Sequence, residues 1–295
     1  MSPEELNKEY SPSHWTKRFQ TGEEVLRHHV KVVKEETERN LEKYNCKRNI
    51  RYGDREMEQM DIYYNTEEGS PIVVYIHGGY WQELTKNQSA YCVSPLIENG
   101  YRVIILDYDL CPNVKLEEIV QQIRKAMKFV FDYAGSSDAQ SVTIVGHSAG
   151  AHLAASVLQE EYTQDIPNLD KLVSVFLISG VYDLTDLRRT TVNRNNMLSL
   201  DHTNVINCSP IFHCYKHLKR FKIKFYVYVA ENDSPTFIKQ SENFHQHLLC
   251  NNLHSKLRIV PVCDHFDIVE NLAQSDFEIT RKIVKQVKSN GVQSL

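Results

Sequence analysis

The chain has 295 residues, 41% of them hydrophobic and 24% charged, values that support one large buried core and leave disorder only to the termini. Lys and Arg total 34 against 38 Asp and Glu, a formal charge of −4, and no dense basic run offers a footprint for phosphate backbones, which excludes nucleic acid as a partner. The acidic start Met1 to Lys8 lacks the apolar core of a secretory signal, no run reaches the ~18 apolar residues of a membrane span, and seven cysteines without a C-x-x-C pair argue against a disulfide framework or a zinc ribbon.

A single cytoplasmic domain is therefore expected, spanning residues 1–295. In chain order, residues 1–47 are polar and charged, and the spacing of Val25, Leu26, Val30, Val33 and Leu41 predicts a helix over Glu23 to Lys43 that packs on the outside of the domain. Asn49 to Tyr52 and Met57 to Tyr64 read as short strands around Gly53-Asp54, an antiparallel edge. The apolar runs Pro71 to Ile76, Tyr101 to Leu106 and Ser141 to Val145 then alternate with helical spacing such as Leu116, Ile119, Val120, Ile123, Met127 and Val130. Continuous apolar strands alternating with helices signify a mostly parallel sheet covered on both faces. Strands are predicted again at Val173 to Ile178, Lys222 to Val229 and Lys256 to Val262, and helices at Pro235 to Leu249 and Phe266 to Lys288. The total is about eight strands, an α/β class. Between Asp186 and Lys219 the periodicity lapses, which suggests a lid-like insertion at the carboxyl edge of the sheet.

Gly146-His147-Ser148-Ala149-Gly150 follows the strand Val142 to Val145 and opens into the helical run Ala151 to Leu158. That is the context a G-x-S-x-G nucleophile elbow requires: the serine sits on a strained turn where side chains at the glycine positions would collide with strand and helix. A plain tight turn is the bland alternative. Upstream, His77-Gly78-Gly79-Tyr80-Trp81 follows another core strand, and its glycines let backbone N–H groups approach a substrate oxygen, half of an oxyanion hole completed by the N–H of Ala149.

An elbow serine needs a histidine to accept its proton and a carboxylate to orient that histidine, in the order Ser, Asp/Glu, His. Asp233 lies just past the strand Lys222 to Val229 and His265 just past Lys256 to Val262. The competing acids are Glu231, nearer the strand; Asp264 and Asp267, beside the histidine; and Asp183, at another strand end. His213 and His217 have i, i+4 spacing but no H-E-x-x-H and no third ligand, and His245 and His247 face different sides of a helix, so no metal is expected. Cys263, near His265, reads as packing.

The forms His77-Gly78-Gly79-Tyr80-Trp81, Gly146 to Leu153, Ser179-Gly180-Val181-Tyr182-Asp183-Leu184 and Tyr10-Ser11-Pro12-Ser13-His14-Trp15 together resemble the kynurenine formamidase (arylformamidase) family of the α/β-hydrolase superfamily. Related lipases and esterases usually carry a third glycine where this chain has Tyr80. The resemblance implies an α/β-hydrolase fold and hydrolysis of N-formyl-L-kynurenine to L-kynurenine and formate without a cofactor. It also implies a triad of Ser148, Asp233 and His265 and oxyanion donors at Gly78, Gly79 and Ala149. Tyr80 and Trp81 are candidates to meet the substrate's aromatic ring, with loop packing the equal alternative. A general carboxylesterase or lipase-like hydrolase and a non-catalytic binding protein of the same fold are the other two hypotheses. The only partner expected is the small-molecule substrate, with no nucleic acid and no membrane; a homodimer is allowed.

Overall fold

The computed structural model describes residues 1–65 and 68–291. Eight strands form one sheet in the order β1-β2-β4-β3-β5-β6-β7-β8. They are β1 (Asn45–Arg51), β2 (Gln59–Tyr64), β3 (Ile72–Ile76), β4 (Arg102–Leu106), β5 (Val142–His147), β6 (Leu172–Ile178), β7 (Lys224–Asn232) and β8 (His254–Asp264). β1 pairs antiparallel with β2 and β2 antiparallel with β4, while every later pairing is parallel. This is the mostly parallel sheet with an antiparallel edge that the apolar runs predicted.

The alternation of side chains along β3 explains why its run is continuously apolar. Ile72, Val74 and Ile76 enter a core on one face, and Val73 and Tyr75 enter a second core on the other. The helices, in chain order, are α1 (Pro3–Glu9), α2 (Gly22–Lys43), α3 (Val93–Ile97), α4 (Leu116–Ser136), α5 (Ala149–Ser156), α6 (Glu160–Thr163), α7 (Pro235–Cys250), α8 (Asp267–Glu270) and α9 (Glu278–Gly291). α4, α5 and α7 bury their apolar stripes in the first core, and α3, α8 and α9 in the second. Among the described residues no helix is long and apolar enough to cross a membrane.

Three elements differ from the sequence reading. α2 packs on the outside by a different stripe from the apolar positions alone: Val25, His29, Val33, Thr37 and Asn40 are buried, whereas Leu26 and Val30 stay 43% and 45% exposed. Three of those five buried residues are polar and work through hydrogen bonds, Asn40 Nδ2 donating to the Ala90 carbonyl at 2.8 Å and the Ala90 N–H to Thr37 Oγ1 at 3.0 Å, so hydrophobic periodicity alone understates its docking. The segment 186–219 is a chain of 3-10 turns, at Leu187–Arg189, Thr191–Asn196, Pro210–Phe212 and Lys216–Phe221, pinned by buried Leu198, Leu200, Val205 and Tyr215. A repeat of three fits neither the helical nor the strand template, which is why the pattern lapsed there. The helix predicted over Phe266 to Lys288 is split, a 3-10 turn at Asn271–Ala273 driving Leu272 into the second core between α8 and α9.

Among the glycines, the tightest surroundings are those of Gly150, where α5 meets β3. A Cβ added to Gly150 would stand 2.0 Å from the Ile76 carbonyl oxygen, a distance no rotamer change relieves because the obstacle is backbone. Gly150→Ala is expected to destabilise the protein by about 3 kcal/mol or more, read as a lowered urea midpoint; an unchanged midpoint would show that α5 can shift freely on the sheet.

Candidate active site

β5 ends at His147 and α5 begins at Ala149, so Ser148 alone makes the turn between them, with φ 53° and ψ −116°. A serine does not hold this left-handed backbone unaided. Its N–H donates to the Ile178 carbonyl on β6 at 2.8 Å, and its own carbonyl accepts from the N–H groups of Ala151 and His152 at 3.0 and 3.1 Å. Glycines flank it of necessity, since a Cβ on Gly146 would lie 2.4 Å from the Gly150 carbonyl oxygen. The result is a hydroxyl presented at the N-terminus of α5.

The loop after β3 lies directly against this turn. A Cβ on Gly78 would fall 3.2 Å from Ser148 Cβ and 3.0 Å from His147 Nδ1, and Gly79 has φ +98°. Among the described residues no protein acceptor takes the backbone N–H of Gly78, Gly79 or Ala149. Buried His77 steadies the loop: its ring stacks on Tyr108 with centroids 4.3 Å apart, its Nδ1 bonds the Gly78 carbonyl at 2.8 Å, and Tyr108 Oη donates to the His77 carbonyl at 2.9 Å.

Asp233 follows β7 and His265 follows β8, and parallel pairing of these strands brings the two together. His265 Nδ1 donates to Asp233 Oδ1 at 2.7 Å, both side chains being buried. Asp233 Oδ2 accepts from Ser179 Oγ at 2.6 Å and from the Ala230 N–H at 3.3 Å. The other acids are engaged elsewhere. Glu231 is exposed and accepts from the Val262 N–H, Asp183 accepts from Thr185, and Asp264 is held by Thr16 Oγ1 at 2.6 Å and by Arg18 Nε and Nη2 at 2.8 and 3.0 Å. Cys263 is buried packing.

Ser148 and His265 line one cavity of about 290 Å³. Ser148 Oγ makes no hydrogen bond to the imidazole; such bonds commonly tighten only around substrate. Between elbow and histidine sits His147, whose Nε2–H donates to the His265 carbonyl at 3.0 Å while burial and the neighbouring imidazole of His265 hold its own ring well below the usual histidine value, hence neutral. The sequence reading missed this contact and missed Ser179, whose place at the end of β6 beside the acid's strand was the available signal.

It also missed the wall supplied by the first thirty residues. Tyr10 to Ser13, Leu26, His29 and Val30 line the cavity with Thr191 and Val192 of the inserted segment. This arm is clamped to the histidine loop: Arg18 reaches Asp264, Asp267 at 3.2 Å and Glu270 at 3.1 Å, and His29 Nδ1 bonds Glu270 Oε1 at 2.9 Å. Tyr80 lines the cavity and donates its hydroxyl to the Tyr10 carbonyl at 2.7 Å. Trp81 does not reach it. Its indole is fully buried edge-on to His152 at 4.8 Å, so of the two candidate ring contacts only Tyr80 remains.

Among the described residues no group of three His, Cys, Asp or Glu side chains could hold a metal ion. His213 bonds the Asn207 carbonyl, His245 the Ser255 hydroxyl and His247 the His213 carbonyl.

The clamp carries a pH dependence. Burial, then the charge of Asp264, push the Asp267 carboxyl up to about 6 from 3.8. Its folded value exceeds its unfolded one, so folding takes up a proton between those limits and stability falls as pH rises through about 4 to 6. Asp267→Asn is expected to flatten that decline, measured as Tm across the window; a variant whose Tm falls as steeply as the parent's would place the titrating group elsewhere.

Comparison with known proteins agrees with this geometry. The BD-FAE family profile matches residues 60–257. A kynurenine formamidase of Drosophila melanogaster is 35% identical over 94% of this chain and 95% of its own, and one of Danio rerio 34% identical over 97% of each. Esterase B of Lactobacillus rhamnosis superposes with a TM-score of 0.66 at 19% identity, covering 83% of this chain and 85% of its own, a likeness of fold.

Proposed function

Since the chain belongs to the kynurenine formamidase family of α/β-hydrolases, we infer that it hydrolyses the formamide bond of N-formyl-L-kynurenine to L-kynurenine and formate, with Ser148 as nucleophile. The observation that carries the residue assignment is the convergence of the elbow serine and the Asp233–His265 pair on one cavity.

In the reaction, Ser148 Oγ attacks the formyl carbon as its proton passes to His265 Nε2. Asp233 keeps the opposite nitrogen protonated and stabilises the imidazolium. The tetrahedral oxyanion receives the N–H groups of Gly78, Gly79 and Ala149, donors of a kind each commonly worth about 3 kcal/mol. The C–N bond then breaks as His265 returns its proton to the aniline nitrogen, leaving a formyl ester on Ser148. A water deprotonated by His265 attacks that ester, and formate departs with the serine hydroxyl restored. We place the reaction in the cytoplasm, where the seven free cysteines would stay reduced.

Purified protein is expected to turn over N-formyl-L-kynurenine in preference to a p-nitrophenyl ester series, and strong preference for long acyl esters without formamidase turnover would replace this reading with a carboxylesterase. Ser148→Ala should lower kcat by a factor of about ten thousand or more with the fold intact by circular dichroism; turnover near the parent rate would remove Ser148 from its role. Ser179→Ala should lower kcat about tenfold, the worth of one hydrogen bond to a charged group, with KM little changed; a change in KM alone would make Ser179 a packing residue.

A further inference from the structure

Resting on the formamidase reading, we propose that the groove between α2 and the loop 80–84 is the subsite for the leaving arylamine, and that Glu83 selects leaving groups carrying an ammonium. Leu26 and Val30 lie one turn apart on α2 and both line the cavity, yet they are two of the few large apolar side chains left exposed, at 43% and 45%. Tyr80 and Leu84 line the same cavity. Together they form an apolar slot open on one side, which a flat ring would fill and dehydrate.

The loop 80–84 is held under strain. Tyr80, Trp81 and Leu84 all have positive φ, 51°, 60° and 68°, a costly run in five non-glycine residues that persists only where surrounding structure over-determines it. The restraints are visible: the N–H groups of Gln82 and Glu83 both donate to the Gly79 carbonyl at 2.9 Å, and Gln82 Nε2 donates to the Val192 carbonyl at 2.8 Å. This fold of the loop sets Glu83 Cβ 3.3 Å from where a Gly79 side chain would begin, beside the loop that borders Ser148.

Glu83 is the one Asp, Glu, Lys or Arg among the residues lining the cavity, and among the described residues it forms no ion pair. No Lys or Arg stands beside it in the wall, and the His29 ring is taken up by Glu270. A lone carboxylate at the mouth of an apolar slot attracts a cation and repels an anion, so the charge on the arylamine, not on the formyl group, is what this site reads.

The test uses formanilide and its para-aminomethyl and para-carboxymethyl derivatives, a ring of constant shape in three charge states. The parent is expected to favour them in the order cationic, neutral, anionic by kcat/KM. Glu83→Gln, at an exposed position where folding is unaffected, should compress that series, the cationic substrate losing up to about fivefold and formanilide staying unchanged. Added salt should erase the same preference in the parent. Leu26→Ser with Val30→Ser should raise KM for all three alike. A charge series identical in parent and Glu83→Gln, or a double variant with unchanged KM, overturns the proposal. Failure of the parent on every formamide while it hydrolyses aryl esters would instead sink the formamidase reading, and the same charge series made as aryl acetates would then decide the subsite by itself.

Discussion

Everything in the site depends on how closely one helix can approach one strand. The Ile76 carbonyl faces the position of the absent Gly150 side chain, and only that bare backbone lets α5 start flush against the sheet. The left-handed turn at Ser148 follows, because no gentler bend takes the chain from β5 into a helix so near. A strained serine is therefore the geometric remainder of a packing constraint, anchored by the Ile178 carbonyl on the adjacent strand. The same closeness sets the loop of Gly78 and Gly79 against the serine.

The histidine side is built from different physics. Asp233 and His265 emerge at the carboxyl ends of neighbouring parallel strands, so sheet register delivers them to each other, and a short chain of donors and acceptors does the rest. Ser179 occupies the second oxygen of Asp233 and His147 holds the His265 backbone. With its remaining lone pairs engaged, the carboxylate has one productive contact left to offer the imidazole ring.

The sequence disclosed what local rules govern. Alternating apolar runs and helical spacing located the sheet, and the two glycine motifs sit at strand ends because steric need puts them there. The choice of Asp233 over Glu231 could be made from its place beyond the strand. What stayed hidden was long-range and polar: Arg18 meets Asp264 across 246 positions, and no periodicity announces such a partner. Likewise α2 docks through Thr37 and Asn40, residues that hydropathy scores as surface. Trp81 stayed open between cavity and packing for a related reason, since nothing local distinguishes an aromatic that turns into the core from one that turns to the cavity.

The clamp joining Arg18 and His29 to residues 264–270 also orders events during synthesis. The arm leaves the ribosome before residues 264–270, which follow it by more than two hundred positions, at about 5–20 residues per second a wait of tens of seconds. Through that interval Thr37 and Asn40 of α2 can already reach Ala90, while His29 still waits for Glu270. The cavity wall contributed by the arm is thus fixed in place only after residues 264–270 have been made.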